Sequence, residues 1–190
     1  MGKASSKLSN IDAAHLERST HFDKKELQQW YKGFMKDCPR GALSRAEFKD
    51  LYKQYFPFGD SSAYSDHVFD LFDVDKNGTI DFNEFMTAIS VTSKGTSEEK
   101  LQWAFKLYDL DGDGYVTQAE LQRVVSALYK TVGNSLKHAA DEDTPEKRAE
   151  KMFLAMDVNG NGCISLTDFV QGVHKEENVI HALGLFNMVM

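Results

Sequence analysis

Asp109, Asp111 and Asp113 stand at every second residue, Gly114 follows them, and Glu120 closes the twelve-residue stretch Asp109-Leu-Asp-Gly-Asp-Gly-Tyr-Val-Thr-Gln-Ala-Glu120. Short acids at positions 1, 3 and 5 wrap one side of a small sphere. The carbonyl of Tyr115 at position 7 adds an oxygen, and the longer Glu120 reaches back with two. Such a set suits Ca²⁺, a hard cation that takes six to eight oxygens at about 2.3–2.6 Å. Position 6 lies in a sharp turn that a Cβ would penalise, hence the glycine. Four carboxylates this close repel one another when no ion is present, so binding metal and ordering the loop are one event. The spacing is that of an EF-hand calcium loop.

Three other stretches share the frame. In Asp73–Glu84, Asp73, Asp75, Asn77, Gly78 and Glu84 hold positions 1, 3, 5, 6 and 12. Thr79 offers a carbonyl at position 7, and Asp81 at position 9 is a further acid, acting directly or through water. In Asp157–Asp168, Asp157, Asn159, Asn161 and Gly162 fit, with the Cys163 carbonyl at position 7. Its middle ligands are neutral, however, and its closing acid Asp168 is one methylene short. That favours weaker Ca²⁺ binding or the smaller Mg²⁺, and the spacing leaves both open. The stretch from Lys36 to Glu47 puts Lys36, Cys38 and Arg40 where oxygens belong, with Pro39 between them. Two cations there repel Ca²⁺, yet Gly41, Leu43 and Glu47 keep positions 6, 8 and 12: the frame is kept and the metal is lost.

The elements that must hold these loops are helices. Leu27, Trp30, Tyr31 and Phe34 recur at helical spacing before the first loop, and Phe82, Phe85, Met86 and Ile89 do so across the end of the second. Asp23 with Glu26, and Thr96 with Glu99, have capping-box spacing at helix starts. Thr144-Pro145 restarts a helix after a polar linker from Gly133 to Asp143. The closing acids Glu47, Glu84, Glu120 and Asp168 are 37, 36 and 48 residues apart, a repeat stretched once by that linker. Leu43, Ile80, Val116 and Ile164 hold position 8, where paired loops join in a short antiparallel ladder. The expected fold is therefore all-α, two lobes of paired EF-hands with the first loop disabled. The expected divisions are an N-terminal arm (1–20), an N-lobe (21–92), a C-lobe (93–176) and an apolar tail (177–190), with Ser93–Thr96 as the hinge between halves and Phe56–Gly59 as a helix break.

The N-terminal half carries more large aromatics than two small loops need inside. Trp30, Phe34, Phe48, Leu51, Tyr52, Phe85 and Ile89 are the expected lining of an exposed groove for a partner's amphipathic helix. The tail from Val179 to Met190 is too apolar for a solvated end and is expected to compete for that groove.

A chain of 190 residues, 42% hydrophobic, is long enough to bury a core. Its formal net charge of −7, with no offsetting basic block, argues against nucleic acid as a partner. Cys38 and Cys163 are the only cysteines, and a cytosolic chain with two reduced thiols is the expectation. There is no run of about eighteen apolar residues to span a bilayer. The six histidines are scattered, and neither a His-Glu-x-x-His pair nor a glycine-rich phosphate loop after a strand occurs, so no enzymatic constellation is found. Gly2 after Met1, with Ser6 in place, is an N-myristoylation pattern, and Lys3 and Lys7 would add a small attraction to anionic lipid. A plain calcium or magnesium buffer is the alternative reading, but it would need neither the lipid signal nor the groove.

These residues resemble the neuronal calcium sensor family, and within it the frequenin branch, over essentially the whole length. The resemblance is carried by Met1-Gly-Lys3, Gln28-Gln-Trp-Tyr-Lys-Gly33, Cys38-Pro39, Tyr52-Lys-Gln-Tyr-Phe-Pro-Phe-Gly-Asp60, Trp103-Ala-Phe-Lys-Leu-Tyr-Asp109 and Thr144-Pro-Glu-Lys-Arg148. It implies a myristoylated protein, cytoplasmic and peripheral on Golgi or plasma membrane, that engages target helices when calcium rises. The targets it implies are a phosphatidylinositol 4-kinase, channels or receptors. Two features depart from the family: Asp168 stands for the usual Glu, and the ending Leu185-Phe-Asn-Met-Val-Met190 differs from the usual one.

Coexpression with N-myristoyltransferase is expected to add the mass of one myristoyl group to the wild-type chain and none to Gly2→Ala. An unmodified wild-type chain in intact-mass measurement would remove the lipid from the picture.

Overall fold

In the computed structural model, residues 8–55, 59–132 and 144–175 are described. Gly2, Phe56–Phe58, the linker and the tail from Val179 lie outside them. The element order is α1 (Asn10–Ser19), α2 (Lys24–Asp37), β1 (Ala42–Ser44), α3 (Arg45–Tyr55), α4 (Ser62–Phe72), β2 (Thr79–Asp81), α5 (Phe82–Lys94), α6 (Ser97–Tyr108), β3 (Tyr115–Thr117), α7 (Gln118–Val132), α8 (Pro145–Met156), β4 (Cys163–Ser165) and α9 (Leu166–Lys175). Each loop thus sits between an entering and an exiting helix and contributes one three-residue strand. The fold is all-α apart from these strands.

Local chemistry explains the helix starts. Asp23 and Glu26 form a reciprocal capping box on α2, Thr96 and Glu99 do the same on α6, and Thr144 caps α8 with Pro145 in its first turn. Helix α4 starts differently: Ser61 has helical backbone angles and makes no side-chain cap, while the Asp60 carboxylate accepts the Ser62 N–H at 3.1 Å. The expected hinge shrinks to Gly95 and Thr96, between the end of α5 and the start of α6. Helix α1 was not legible in the pattern. It has few apolar residues, but it buries Ala13 and Leu16 and packs on α2 and α5.

The two sheets have two strands each. Leu43 faces Ile80 across β1–β2 and Val116 faces Ile164 across β3–β4, both antiparallel. All four side chains are buried, which places the apolar position-8 residues under the loops and against the helical core. One buried cluster runs through the described residues, with Leu27, Phe34, Phe48, Phe69 and Met86 in its N-terminal part and Phe105, Leu121, Met152, Phe153 and Phe169 in its C-terminal part.

The halves touch at several points. Phe72 of α4 meets Trp103 of α6 edge-on, centroids 6.2 Å apart. The His21 ring lies 3.1 Å from Glu99. The connection before α4 is stitched to the end of α7, where the Asp60 N–H donates to the Lys130 carbonyl at 2.9 Å. Gly59 belongs to this junction by necessity, since a Cβ there would lie 1.9 Å from the Thr131 carbonyl oxygen and 2.4 Å from that of Lys130.

Both obstacles at Gly59 are backbone, so Gly59→Ala is expected to destabilise the protein by about 1–3 kcal/mol in urea unfolding. An unchanged unfolding midpoint would show that the junction yields freely.

Candidate metal centre

Loop two folds around its own acids. Asp73 ends α4 and is buried, with its carboxylate accepting the N–H groups of Asn77 at 3.0 Å and Gly78 at 2.9 Å. Those bonds need the chain to turn back on itself, and positive φ at Lys76 (58°) and Gly78 (84°) supplies the turn. Glu84, in the first turn of α5, reaches across the loop. Its Oε1 accepts from Val74 N at 2.9 Å and Asp75 N at 3.3 Å, and its Oε2 from Asp81 N at 3.0 Å. As a result Asp73, Asp75 and Glu84 each offer an oxygen within 4.8 Å of the others. Asn77 turns its carbonyl oxygen to the Thr79 N–H at 2.8 Å, and Asp81 caps α5 through the Glu84 N–H at 2.9 Å. The loop's one cation points away, with Lys76 Nζ donating to the Asp70 carbonyl at 2.6 Å.

Loop three repeats the geometry. Asp109, Asp111 and Glu120 bring oxygens within 4.8 Å of one another. Glu120 Oε1 accepts from Leu110 N at 3.1 Å and Asp111 N at 3.4 Å, and Oε2 from Thr117 N at 2.8 Å. Burial pushes the Glu120 carboxyl up, but the bonds from Thr117, Leu110 and Asp111 outweigh it and hold the group below its usual range. Asp113 sits beside the cluster and accepts the Tyr115 N–H at 2.8 Å.

Loop four has the turn without the cluster. Asp157 accepts from Asn161 N and Gly162 N, as its counterparts do, but the Asp168 carboxylate is bonded to Ser165 N (3.1 Å) and Oγ (2.7 Å). Its only contact across the loop is the Asn159 amide nitrogen at 3.4 Å. A closing side chain one methylene shorter stops before the backbone of positions 2 and 3, which Glu84 and Glu120 both reach. Asn159, Asn161 and Cys163 ring this gap; Asn161 Oδ1 accepts from the Cys163 N–H at 3.0 Å.

Loop one holds an internal ion pair that the sequence reading missed. Arg40 and Lys36 were expected only to repel metal. Arg40 Nη2 instead lies 2.5 Å from Glu47 Oε1. The signal was opposite charges at positions 5 and 12 of one loop. Cys38 beside it is buried, which pushes its thiol pKa up, with Glu47 and Asp37 adding to the shift.

The clusters on loops two and three are all oxygen, anionic and shaped by backbone N–H groups rather than by protein cations. That donor set fits a hard divalent ion such as Ca²⁺. Ladder-paired loops, helices on either side of each loop and these clusters define a protein of four EF-hand frames in two pairs. The chain matches the family model for an EF-hand domain pair over residues 98–173 and that for an EF hand domain over residues 66–92. It is 47% identical over 185 residues to Neuronal calcium sensor 1 of Lymnaea stagnalis, covering 97% of each chain. To the protein of the same name from Aplysia californica it is 46% identical over 185 residues, again 97% of each. The chain belongs to the neuronal calcium sensor family.

The seven groove candidates divide. Trp30, Phe34, Leu51 and Phe85 line a cavity of about 440 Å³ between α2, α3 and α5. Trp30 is 41% exposed and Leu51 37%. Phe48 and Tyr52 turn the other way, onto α4: Phe48 meets Phe69 and Phe72, with centroids at 5.7 and 5.8 Å, and Tyr52 meets Tyr64 at 6.1 Å. Residues four apart on a helix share a stripe, so Phe48 and Tyr52 go inward together while Leu51 faces the cavity. Ile89 is half-buried against the core.

Glu84→Gln and Glu120→Gln are each expected to abolish one site with affinity in the range of about 10⁻⁷–10⁻⁵ M in calorimetry. Lys36→Asp should create no new site, because Cys38 and Arg40 still supply no oxygen. Unaltered number and affinity of sites in Glu120→Gln would overturn the ligand assignment.

Proposed function

We propose that this protein is a calcium sensor that takes up Ca²⁺ through loops two and three and regulates a membrane-associated target through the groove of its N-terminal half. Asp73, Asp75, Asn77, Asp81, Glu84 and the Thr79 carbonyl are the proposed ligands of loop two; Asp109, Asp111, Asp113, Glu120 and the Tyr115 carbonyl are those of loop three. Loop four is proposed as the weaker site, for Ca²⁺ or Mg²⁺. A bound ion would supply the positive charge that lets three carboxylates share one centre.

One observation carries the reading. Glu84, whose carboxylate belongs to the loop-two cluster, and Phe85, which lines the groove, are successive residues in the first turn of α5. A shift of the α5 backbone at Glu84 would therefore reach the groove wall through one peptide unit. The exposed Trp30 packs at a tilt against Phe85, centroids 5.9 Å apart, and Phe34 lies 5.3 Å from the same ring, so the three rings form one continuous wall. An amphipathic helix with large apolar anchors is the partner that such a trough fits.

The proposal extends to the membrane. A myristoyl chain on Gly2 gives only marginal attachment by itself, so a protein target must complete it. Lipid kinases, channels and receptors on Golgi or plasma membrane are the proposed targets, approached from the cytoplasmic side. Among the described residues no helix is long and apolar enough to cross a membrane, so attachment by lipid and partner is the arrangement the reading requires.

Trp30→Ala and Phe85→Ala are expected to weaken binding of an amphipathic target helix by about tenfold or more, a loss of about 1.5–3 kcal/mol for each large side chain. Calcium affinity without target should stay nearly intact. Wild-type target affinity in both variants, measured by calorimetry, would place the binding face elsewhere.

A further inference from the structure

Loop one retains its closing acid although cations and a thiol occupy its ligand positions, and that acid has a partner the other loops lack. In loops two and three the Oε1 of Glu84 and Glu120 accepts the N–H groups of positions 2 and 3. In loop one the Oε1 of Glu47 accepts from the Arg40 guanidinium at 2.5 Å. Arg40 stands at position 5, where the other loops carry Asn77, Asp113 and Asn161. The second oxygen behaves alike in all four loops. It accepts the position-9 N–H from Ser44 at 2.9 Å, Asp81 at 3.0 Å, Thr117 at 2.8 Å and Ser165 at 3.1 Å. One half of the closing interaction is therefore shared, and the other half is made in loop one by a side-chain cation.

We propose that Arg40 is a positioning residue for loop two: it is the built-in counter-charge of Glu47, and it keeps loop one ordered at every calcium level so that β1 holds β2 in register. The path runs through direct contacts. Arg40 pairs with Glu47, and Glu47 holds Ser44 by its N–H and by its hydroxyl at 2.5 Å. Ser44 is opposite Thr79 and Ala42 is opposite Asp81 in the β1–β2 ladder, with Leu43 and Ile80 buried between them. Thr79 and Asp81 are positions 7 and 9 of loop two, two of its candidate ligands. The disabled loop thus braces one side of the working one. The bonds from Ser44, and then Arg40, hold the Glu47 carboxyl down to about 2, so the acid is an anion throughout the neutral range. Arg40 is 75% exposed and Glu47 44%, so the pair is open to screening and its effect is modest and salt-dependent.

This rests on loop two being a Ca²⁺ site, and the experiment separates the two ideas. Loop two is isolated in the full chain by Glu120→Gln together with Asp168→Asn, which also removes the closing acid of the weaker loop four, and its Ca²⁺ affinity is read by calorimetry. Arg40→Gln is expected to weaken it by about two- to fivefold at low salt, in line with an exposed ion pair. Glu47→Gln should cost at least as much, and the double variant no more than Glu47→Gln alone, because the pair acts as one unit. Arg40→Lys should recover part of the affinity, and about 1 M salt should erase the difference between Arg40→Gln and wild type. In calcium-free protein, hydrogen exchange of the β1–β2 ladder amides should be faster in Arg40→Gln. Unchanged exchange overturns the proposal whether or not loop two binds. Unchanged affinity in a loop that binds, or losses that add in the double variant, also overturns it. A wild-type loop two that takes up no Ca²⁺ overturns the function proposed above instead, and the exchange result then decides for Arg40.

Discussion

Three carboxylates held within 4.8 Å of one another are the constraint on which this molecule depends. Two unit charges about 4 Å apart repel by roughly 1 kcal/mol in water and about 4 kcal/mol at the effective dielectric near a protein surface. Asp73 and Glu120 are buried, so their clusters lie toward the costlier end. What gathers the acids is the backbone: the N–H groups of each loop's tight turn converge on the first aspartate, and those of positions 2 and 3 on the closing glutamate. The loop is thus a concave array of peptide dipoles that draws anions together and offsets part of their repulsion. The turn glycines, the buried ladder residues and the helix beginning at each closing acid all serve to hold that array.

Loops two and three show the same solution twice, while loops one and four show two ways of departing from it. Loop four removes negative charge by substituting amides and shortening its last acid. Loop one adds positive charge of its own. Both keep the position-9 bond to the closing acid and both keep the ladder. Pairing is therefore retained where metal ligation is weakened or gone, because each pair of loops shares one roof over one core.

Much of this was legible from residue types and spacing, since the features concerned are local. Loop positions and the capping boxes at Asp23–Glu26 and Thr96–Glu99 follow from contacts within a repeat, and the Leu43–Ile80 and Val116–Ile164 partners from the same position in paired repeats. What escaped depends on direction and on distant partners. Helix α1 has too thin an apolar stripe to announce itself and is stabilised by α2 and α5. The Arg40–Glu47 pair was missed because Arg40 was read as a departure and Glu47 as a kept position, and charge type shows repulsion toward metal more readily than attraction within the loop. The division of Phe48 and Tyr52 from Leu51 could have been read from helical spacing, but which stripe faces α4 is settled only by packing.

Helix α7 carries a consequence of its own. Glu120 stands in its first turn, and Lys130 and Thr131 at its far end lie against Gly59 and Asp60 of the other half. A helix rises about 1.5 Å per residue, so these two ends are separated by roughly 17 Å of stiff rod. A tilt of about 10° at the loop end would sweep the other end through about 3 Å over that length. At Gly59 even a methyl group would meet the Thr131 and Lys130 carbonyls, so this end of the rod sits hard against the other half. Helix α7 is in that sense a lever arm: the closing acid of loop three and the seam between the halves ride on one rigid element.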